Sequence, residues 1–193
     1  MLSATKEFSE KGFEKASMRI IAKNANVTTG SLYARYPNKN ALFGALVEPV
    51  ITSFMEANEE GNKKGISHIH SDGAWEMWSS TESSTTKIVD LIYANKESFA
   101  LLINCSNGSS YENFIDQVVA VEEKETLEVL EMLRKKGYPC ADVSPQIVHM
   151  LISAHCYALF EIVRHDLEKE DALKQVNQIY EFFICGWNKI FGL

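Results

Sequence analysis

The sequence predicts an all-α fold, with a three-helix domain over residues 1–45 followed by a larger helical domain over 46–193. Three observations carry that expectation. Apolar residues recur at helical spacing through most of the chain. No segment alternates at the two-residue period of a strand. Gly, Asn, Pro, Ser and Thr stand where helices have to stop and start.

Leu2, Thr5, Phe8 and Ser9 share one face of a first helix, which Gly12 ends, and Phe13 follows as an apolar plug. Ser17 caps a second helix with Met18, Ile21, Ala22 and Ala25 in register. Asn24-Ala25-Asn26 supplies a tight turn, because Asn tolerates left-handed backbone. Val27 then turns inward, and Thr28 caps a third helix through Tyr36. Pro37 ends that helix, and Asn38 caps a fourth over Lys39–Asn58, with a kink expected at Pro49. Residues 59–72 read as a polar, Gly-containing loop, and 75–86 show no clear period. Further helices are predicted over 87–95, 97–105, 111–136, 146–164 and 168–191, with 106–110 as a loop. Within 111–136, Ile115, Val118, Val119, Leu127, Leu130 and Leu133 share the core-facing stripe.

Composition narrows the function classes. Of 193 residues, 46% are hydrophobic and 23% charged, enough for a substantial core. The most apolar stretch, Ile147–Val163, contains His149, Ser153, His155 and Glu161, so it reads as a buried helix rather than a membrane span. Without a secretory signal pattern, a cytoplasmic protein with no membrane partner is expected. Cys105, Cys140, Cys156 and Cys185 form no CxxC pair, which argues against a disulfide framework or a zinc module. The net charge of -7 is unevenly spread. Residues 1–47 hold seven Lys or Arg against three Glu, a net +4, which leaves -11 for the remainder. A basic end on an acidic body can meet phosphate while the body stays off it.

Two short helices joined by a tight turn form a helix-turn-helix, whose second helix enters a DNA major groove by its first residues. Here those residues are Thr28, Thr29, Gly30, Ser31 and Tyr33. Thr29 and Ser31 are short and polar, and Gly30 lets backbone approach closely. Tyr33 and Tyr36 offer phenol donors to phosphate. Lys39 sits in the first turn of a helix, unfavourable for a cation unless an anion lies beside it. Ser17 occupies the equivalent place on the second helix.

Phe8, Gly12-Phe13, Ser17-Met18, Ile21-Ala22, Ala25, Val27, Gly30, Leu32-Tyr33, Tyr36, Lys39 and Leu42-Phe43 together resemble the DNA-binding region of the tetracycline-repressor (TetR) family. The resemblance covers about a quarter of the chain, in register and without gaps. It implies an all-α homodimeric transcription regulator, usually a repressor, whose carboxy-terminal domain binds a small molecule and whose last two long helices pair. By position it assigns DNA contacts to Thr28, Thr29, Ser31, Tyr33, Tyr36 and Lys39, with Ser17 on phosphate. Family members commonly have a longer, basic lead-in, so this chain is expected to start partway into the first helix.

For the larger domain, a helix apolar nearly all round has to face its own core and something else. Ser153, Ala154 and Ala158 admit a close partner helix, and Phe183, Gly186, Trp187 and Ile190 form a late apolar stripe; these are the expected dimer residues. An effector pocket is expected from Trp75, Trp78, Tyr93, Phe99, Phe114, Met150 and Tyr157. His149, His155 and Cys156 do not share one helical face, so no metal is expected, and His68 and His70 read as solvated. With no catalytic or cofactor-binding fingerprint, the chain is expected to be neither an enzyme nor a cofactor carrier. The leading expectation is a ligand-responsive repressor released from a palindromic duplex operator by a small-molecule effector. The alternative is a helical protein-interaction module that keeps a degenerate reader.

Overall fold

The computed structural model describes residues 1–70 and 77–193, and side chains outside 69–84. Among the described residues the regular structure is helical throughout. The helices are α1 (Leu2–Lys15), α2 (Met18–Asn24), α3 (Thr29–Arg35), α4 (Lys39–His70), α5 (Met77–Ala94), α6 (Lys96–Asn104), α7 (Phe114–Lys135), α8 (Pro145–Arg164) and α9 (Lys169–Phe191). The chain divides into two compact units, one of 1–53 with 94–114 and the other of 54–93 with 115–193. Residue 45, the expected domain boundary, falls inside α4, and the first unit gains α6 through a long-range pairing that no local pattern encodes.

The first unit is built round three aromatic rings. Phe8, Phe13 and Phe43 are buried, with Phe43 edge-on to Phe8 at 5.0 Å and to Phe13 at 5.4 Å between centroids. Edge-to-face contact suits rings with negative faces and positive rims. Phe13 reaches the cluster because Gly12 breaks the helix at φ 70, ψ 166, after which the chain resumes helical turns to Lys15. The Phe13 N–H then donates to the Cys105 carbonyl at 2.8 Å, tying the bend to the end of α6. The buried face of α1 is Ala4, Glu7 and Phe8. Leu2, expected on that face, is instead 84% exposed, and Ser9 is exposed. A helical stripe centred on Phe8 includes Ala4 and Glu7 and turns Leu2 outward.

The turn between α2 and α3 closes through its backbone. Asn26 is left-handed at φ 54; its N–H donates to the Lys23 carbonyl, and the Val27 N–H donates to that of Ala22. This paired closure satisfies two carbonyls left open by a helix end. Val27 itself is 43% exposed rather than inward, because its role in the turn is carried by its N–H.

In the second unit, Phe54 meets Phe160 at 5.4 Å, and Val118, Val119, Leu130 and Leu133 of α7 are buried. Leu127 is half-buried at the margin of that stripe. Residues 59–70, read as loop from their Gly and charge content, continue α4. Ion pairs one turn apart, Lys63–Glu59 at 2.6 Å and Lys64–Glu60 at 2.5 Å, line its outer side. Each such exposed pair adds only about 0.3–0.5 kcal/mol. The larger reason lies on the inner side, where Asn58 and Asn62 donate to Glu122 of α7.

Truncating Phe43 to Ala is expected to cost about 3–5 kcal/mol. Denaturant unfolding followed by circular dichroism checks this; a loss below about 1 kcal/mol would mean that the aromatic cluster is not the core of the first unit.

Candidate nucleic-acid interface and cavity

α3 has no buried residue. Thr28, Gly30, Ser31 and Tyr33 are exposed, and Thr29, Leu32 and Tyr36 are half-buried. A short helix with almost no core contact is fixed by its ends. Thr28 Oγ1 accepts from the Ser31 N–H at 3.1 Å, and the left-handed turn sets its approach. At Gly30 an added Cβ would meet only Thr28 Oγ1, 4.0 Å away, so the open space there faces outward.

Ser17 caps α2 as expected, accepting from the Ile20 N–H at 3.5 Å. Its own N–H donates to Glu7 Oε1 at 3.1 Å. Glu7 is only 5% exposed, so this carboxylate braces α1 against the start of α2. Neither sequence spacing nor charge pattern singles it out. Burying Glu7 also removes one of the three carboxylates of residues 1–47 from the surface, while Lys6, Lys11, Lys15, Arg19, Lys23 and Arg35 remain exposed.

Lys39 is placed differently from a free phosphate contact. Its Nζ donates to the Glu14 carbonyl at 2.8 Å and to that of Ala16 at 3.3 Å, and lies 4.6 Å from the Phe13 ring centroid. A cation at the carboxy end of α1 complements the helix dipole, and the ring face adds a cation–π contact. The start of α4 is capped by Asn38, whose Oδ1 accepts from the Ala41 N–H at 2.8 Å. The Tyr36 hydroxyl meets Met1 Sδ at 3.6 Å, whereas the Tyr33 ring is 45% exposed.

Residues 2–46 match the sequence model of the bacterial regulatory proteins of the tetR family. Over these residues the chain carries that family's DNA-binding domain. That domain is the DNA-binding part of transcription regulators, and its helix-turn-helix is here α2–turn–α3. No curated protein matches the chain. Among solved structures it is similar to the TetR family transcriptional regulator PfmR from Thermus thermophilus, at 17% identity and a TM-score of 0.59, covering 92% of this chain and 94% of that one. It is also similar to a chain from Mesorhizobium loti assigned to the TetR-family transcriptional regulators, at 17% identity and a TM-score of 0.53, covering 95% and 92% respectively. At that identity the likeness is one of fold.

The second unit of the chain holds two adjoining cavities of about 130 and 110 Å³. Both are bounded by Gly61, Asn62, Glu122, His155 and Tyr180. Phe183, Trp187 and Phe191 of α9 wall the larger, and Phe54, Ile88 and Val118 the smaller. The expected pocket residues that the structure describes lie elsewhere. Met150 and Tyr157 are 64% and 38% exposed, and the Tyr157 hydroxyl donates to Asp116 at 2.7 Å. Tyr93 donates to the Leu167 carbonyl at 2.6 Å. Phe99 and Phe114 are buried in the first unit. Trp75 and the Trp78 side chain lie outside the described residues. Of the expected dimer residues, Trp187 is 6% exposed and stacks on Phe191 at 5.5 Å, and Phe183 faces the cavity. Gly186 and Ala154 are exposed, while Ser153, Ala158 and Ile190 are half-buried. Aromatic size points to the wrong lining because large rings fill space, and the cavity opens where Gly61 and Gly65 thin the wall of α4.

The cavity's polar groups form a chain. Asn58 Nδ2 donates to Glu122 at 2.5 Å; Asn62 Nδ2 donates to Glu122 at 3.1 Å and also to Glu125. Burial raises the Glu125 carboxyl above its usual range, and the Glu122 charge adds to the rise. Burial lowers the His155 imidazole, against an opposing pull from Glu122, and drives the Cys156 thiol up to about 12. His149 pairs with Glu123 at 2.8 Å on the surface. Among the described residues no three His, Cys, Asp or Glu side chains gather as a metal site.

Two expectations follow. Thr28→Ala is expected to cost about 1 kcal/mol and to speed hydrogen exchange first at the Ser31 amide, read by NMR. An unchanged Ser31 rate would show that the turn alone holds α3. The folded protein binds the Glu125 proton more tightly than the unfolded chain does, so Glu125 is least costly below its ordinary value of 4.5 and increasingly costly above it. The melting-temperature advantage of Glu125→Gln over the parent is therefore expected to grow from about pH 4 to about pH 7; a flat difference would contradict the burial.

Proposed function

We propose that this chain is a ligand-responsive repressor that binds a palindromic operator as a homodimer. The observation that carries the proposal is α3, an exposed helix with its polar first turn turned outward and with exposed cations around it. In this reading Thr29 and Ser31 reach base edges, Gly30 lets backbone approach, and Tyr33 and Ser17 donate to phosphate. In this reading Lys39 acts through the bend it holds at the end of α1, with its remaining N–H direction available to phosphate. Two heads would address half-sites about one helical turn apart. The unit's charge supports this reading, and an interaction module would not need it.

Dimerisation is read from α8 and α9. Ile147, Met150, Ala154 and Tyr157 recur along one exposed face of α8, and Phe182 on α9 is 75% exposed. By length and composition α8 alone among the described helices would suit a membrane span. Its exposed stripe is however interleaved with the Glu161–Arg164 pair at 2.7 Å and the His149–Glu123 pair, which suits a second copy better than lipid. Ser153, Ala158, Gly186 and Ile190 border this face in the proposed dimer. Effector binding in the second-unit cavity would bias α4, since Asn58, Gly61 and Asn62 line it and the same helix continues back through Pro49 to its Asn38 cap. Ligand energy can shift DNA affinity only as far as it distinguishes two arrangements of that helix.

The DNA reading is tested by selecting sites from a random duplex pool and titrating salt. The account expects a two-fold symmetric consensus and a steep fall in affinity with salt. Gly30→Ala should stabilise the fold by up to about 1 kcal/mol yet weaken operator binding, while Tyr33→Phe should weaken all duplexes alike. A Gly30→Ala protein with undiminished DNA affinity would remove α3 from the interface. Phe182→Glu is expected to reduce the sedimentation mass from twice 21.7 kDa to 21.7 kDa; an unaltered dimer would place the interface elsewhere.

A further inference from the structure

The walls of the second-unit cavity are unbalanced in charge. Glu122 and Glu125 stand one turn apart on α7 and both face it, and among the described residues no Lys or Arg lines either cavity. The charges acting on Glu125 are those of Glu122, Glu128 and Glu59, all of the same sign. Among the described residues the one opposing influence on it is the Asn62 amide, a dipole rather than a cation. Two neighbouring carboxylates at the edge of an apolar space repel each other and are costly to desolvate. A cation placed between them would relieve both costs.

His155 is the second, independent observation. It lines both cavities, and its described contacts are with rings, Tyr180 at 6.3 Å and Phe183 at 4.9 Å between centroids. Among the described residues no side chain or backbone group hydrogen-bonds its ring nitrogens, and burial holds the imidazole neutral beside this space. Trp187 and Phe191, stacked at 5.5 Å, line the same cavity as the two carboxylates, so part of its wall is aromatic. Aromatic faces attract cations, most strongly when water is excluded. The site therefore brings negative charge, aromatic rings and apolar surface together in one lining.

We propose that this cavity takes a hydrophobic organic cation, a quaternary or protonated amine on an aromatic body, with its charge against the Glu122–Glu125 pair and its body against Phe183 and Trp187. The inference rests on the reading of the cavity as the ligand site. Asn58 and Asn62 hold the carboxylates in place and, being on α4, move with any shift that the cation imposes on them. An anionic ligand would add a further like charge to the pair, and a neutral one would leave their repulsion in place.

The test uses the full-length protein and a pair of probes of one shape, benzyltrimethylammonium and neopentylbenzene, which differ by the charge at a single atom. Affinities are measured by ligand-observed NMR and calorimetry. The cation is expected to bind about tenfold more tightly than its neutral counterpart, equivalent to about 1.4 kcal/mol. In Glu122→Gln/Glu125→Gln protein, checked for folding by its melting curve, the preference should vanish while the neutral probe binds as before. Equal or tighter binding of neopentylbenzene to the parent would overturn the cation assignment and leave the cavity as a ligand site. A preference that survives in the double variant would overturn the role of the pair. If neither probe binds, the cavity reading itself fails, and the cation inference with it.

Discussion

Phe43 is the contact on which the amino-terminal unit depends. Its ring is fully buried, edge-on to Phe8 and Phe13, and 6.0 Å from Tyr111. One side chain near the start of α4 thus gathers both halves of bent α1 and the segment that follows α6. Once Phe13 is drawn in, the carbonyls of Glu14 and Ala16 lie within reach of Lys39. The bend also brings Ser17 to the buried Glu7. α2 is then fixed at its first turn, and α3 hangs from it by the Asn26 turn and the Thr28 cap. The exposure of α3 follows from this arrangement. A helix supported at its ends can leave a whole face for another molecule, where a helix supported by burial cannot.

Much of this is legible from local chemistry. Asn26 and Thr28 are residue types that encode a turn and a cap, and both act as their types require. Ser17 and Asn38 likewise act as caps. What is not legible depends on partners distant in sequence. Residues 59–70 look like a loop because Gly61 and Gly65 weaken a helix and the charges solvate it. Glu122, 60 residues beyond Asn62, receives the amides that make helix the better state. Val27 looks like core by its apolarity, yet it serves through its N–H. The expected dimer and pocket residues rest on size and hydrophobicity, which do not distinguish a ring that fills a core, such as Phe99, from one that walls a space, such as Phe183.

The two units divide the chain's charge between different tasks. In the first, six cations between Lys6 and Arg35 are exposed and one carboxylate is buried, which leaves a surface suited to a polyanion. In the second, carboxylates are held at the edge of an aromatic cavity with no Lys or Arg among its described lining residues. Neither arrangement is the least costly one for the folded chain alone, and both become favourable when a partner of opposite charge arrives. α4 belongs to both units, and its residues bear both on the bend of α1 and on the Glu122 carboxylate.

The central claim, that α3 is the DNA-reading element of this chain, is tested most directly by hydrogen exchange with and without duplex DNA. The account predicts slowed exchange confined to the amides of residues 17–36, strongest over Thr28–Tyr33, with the cavity-lining turns of α7 and α9 unprotected by direct contact. Unchanged exchange across Thr28–Tyr33 at saturating DNA, or protection confined to α7–α9, would contradict it.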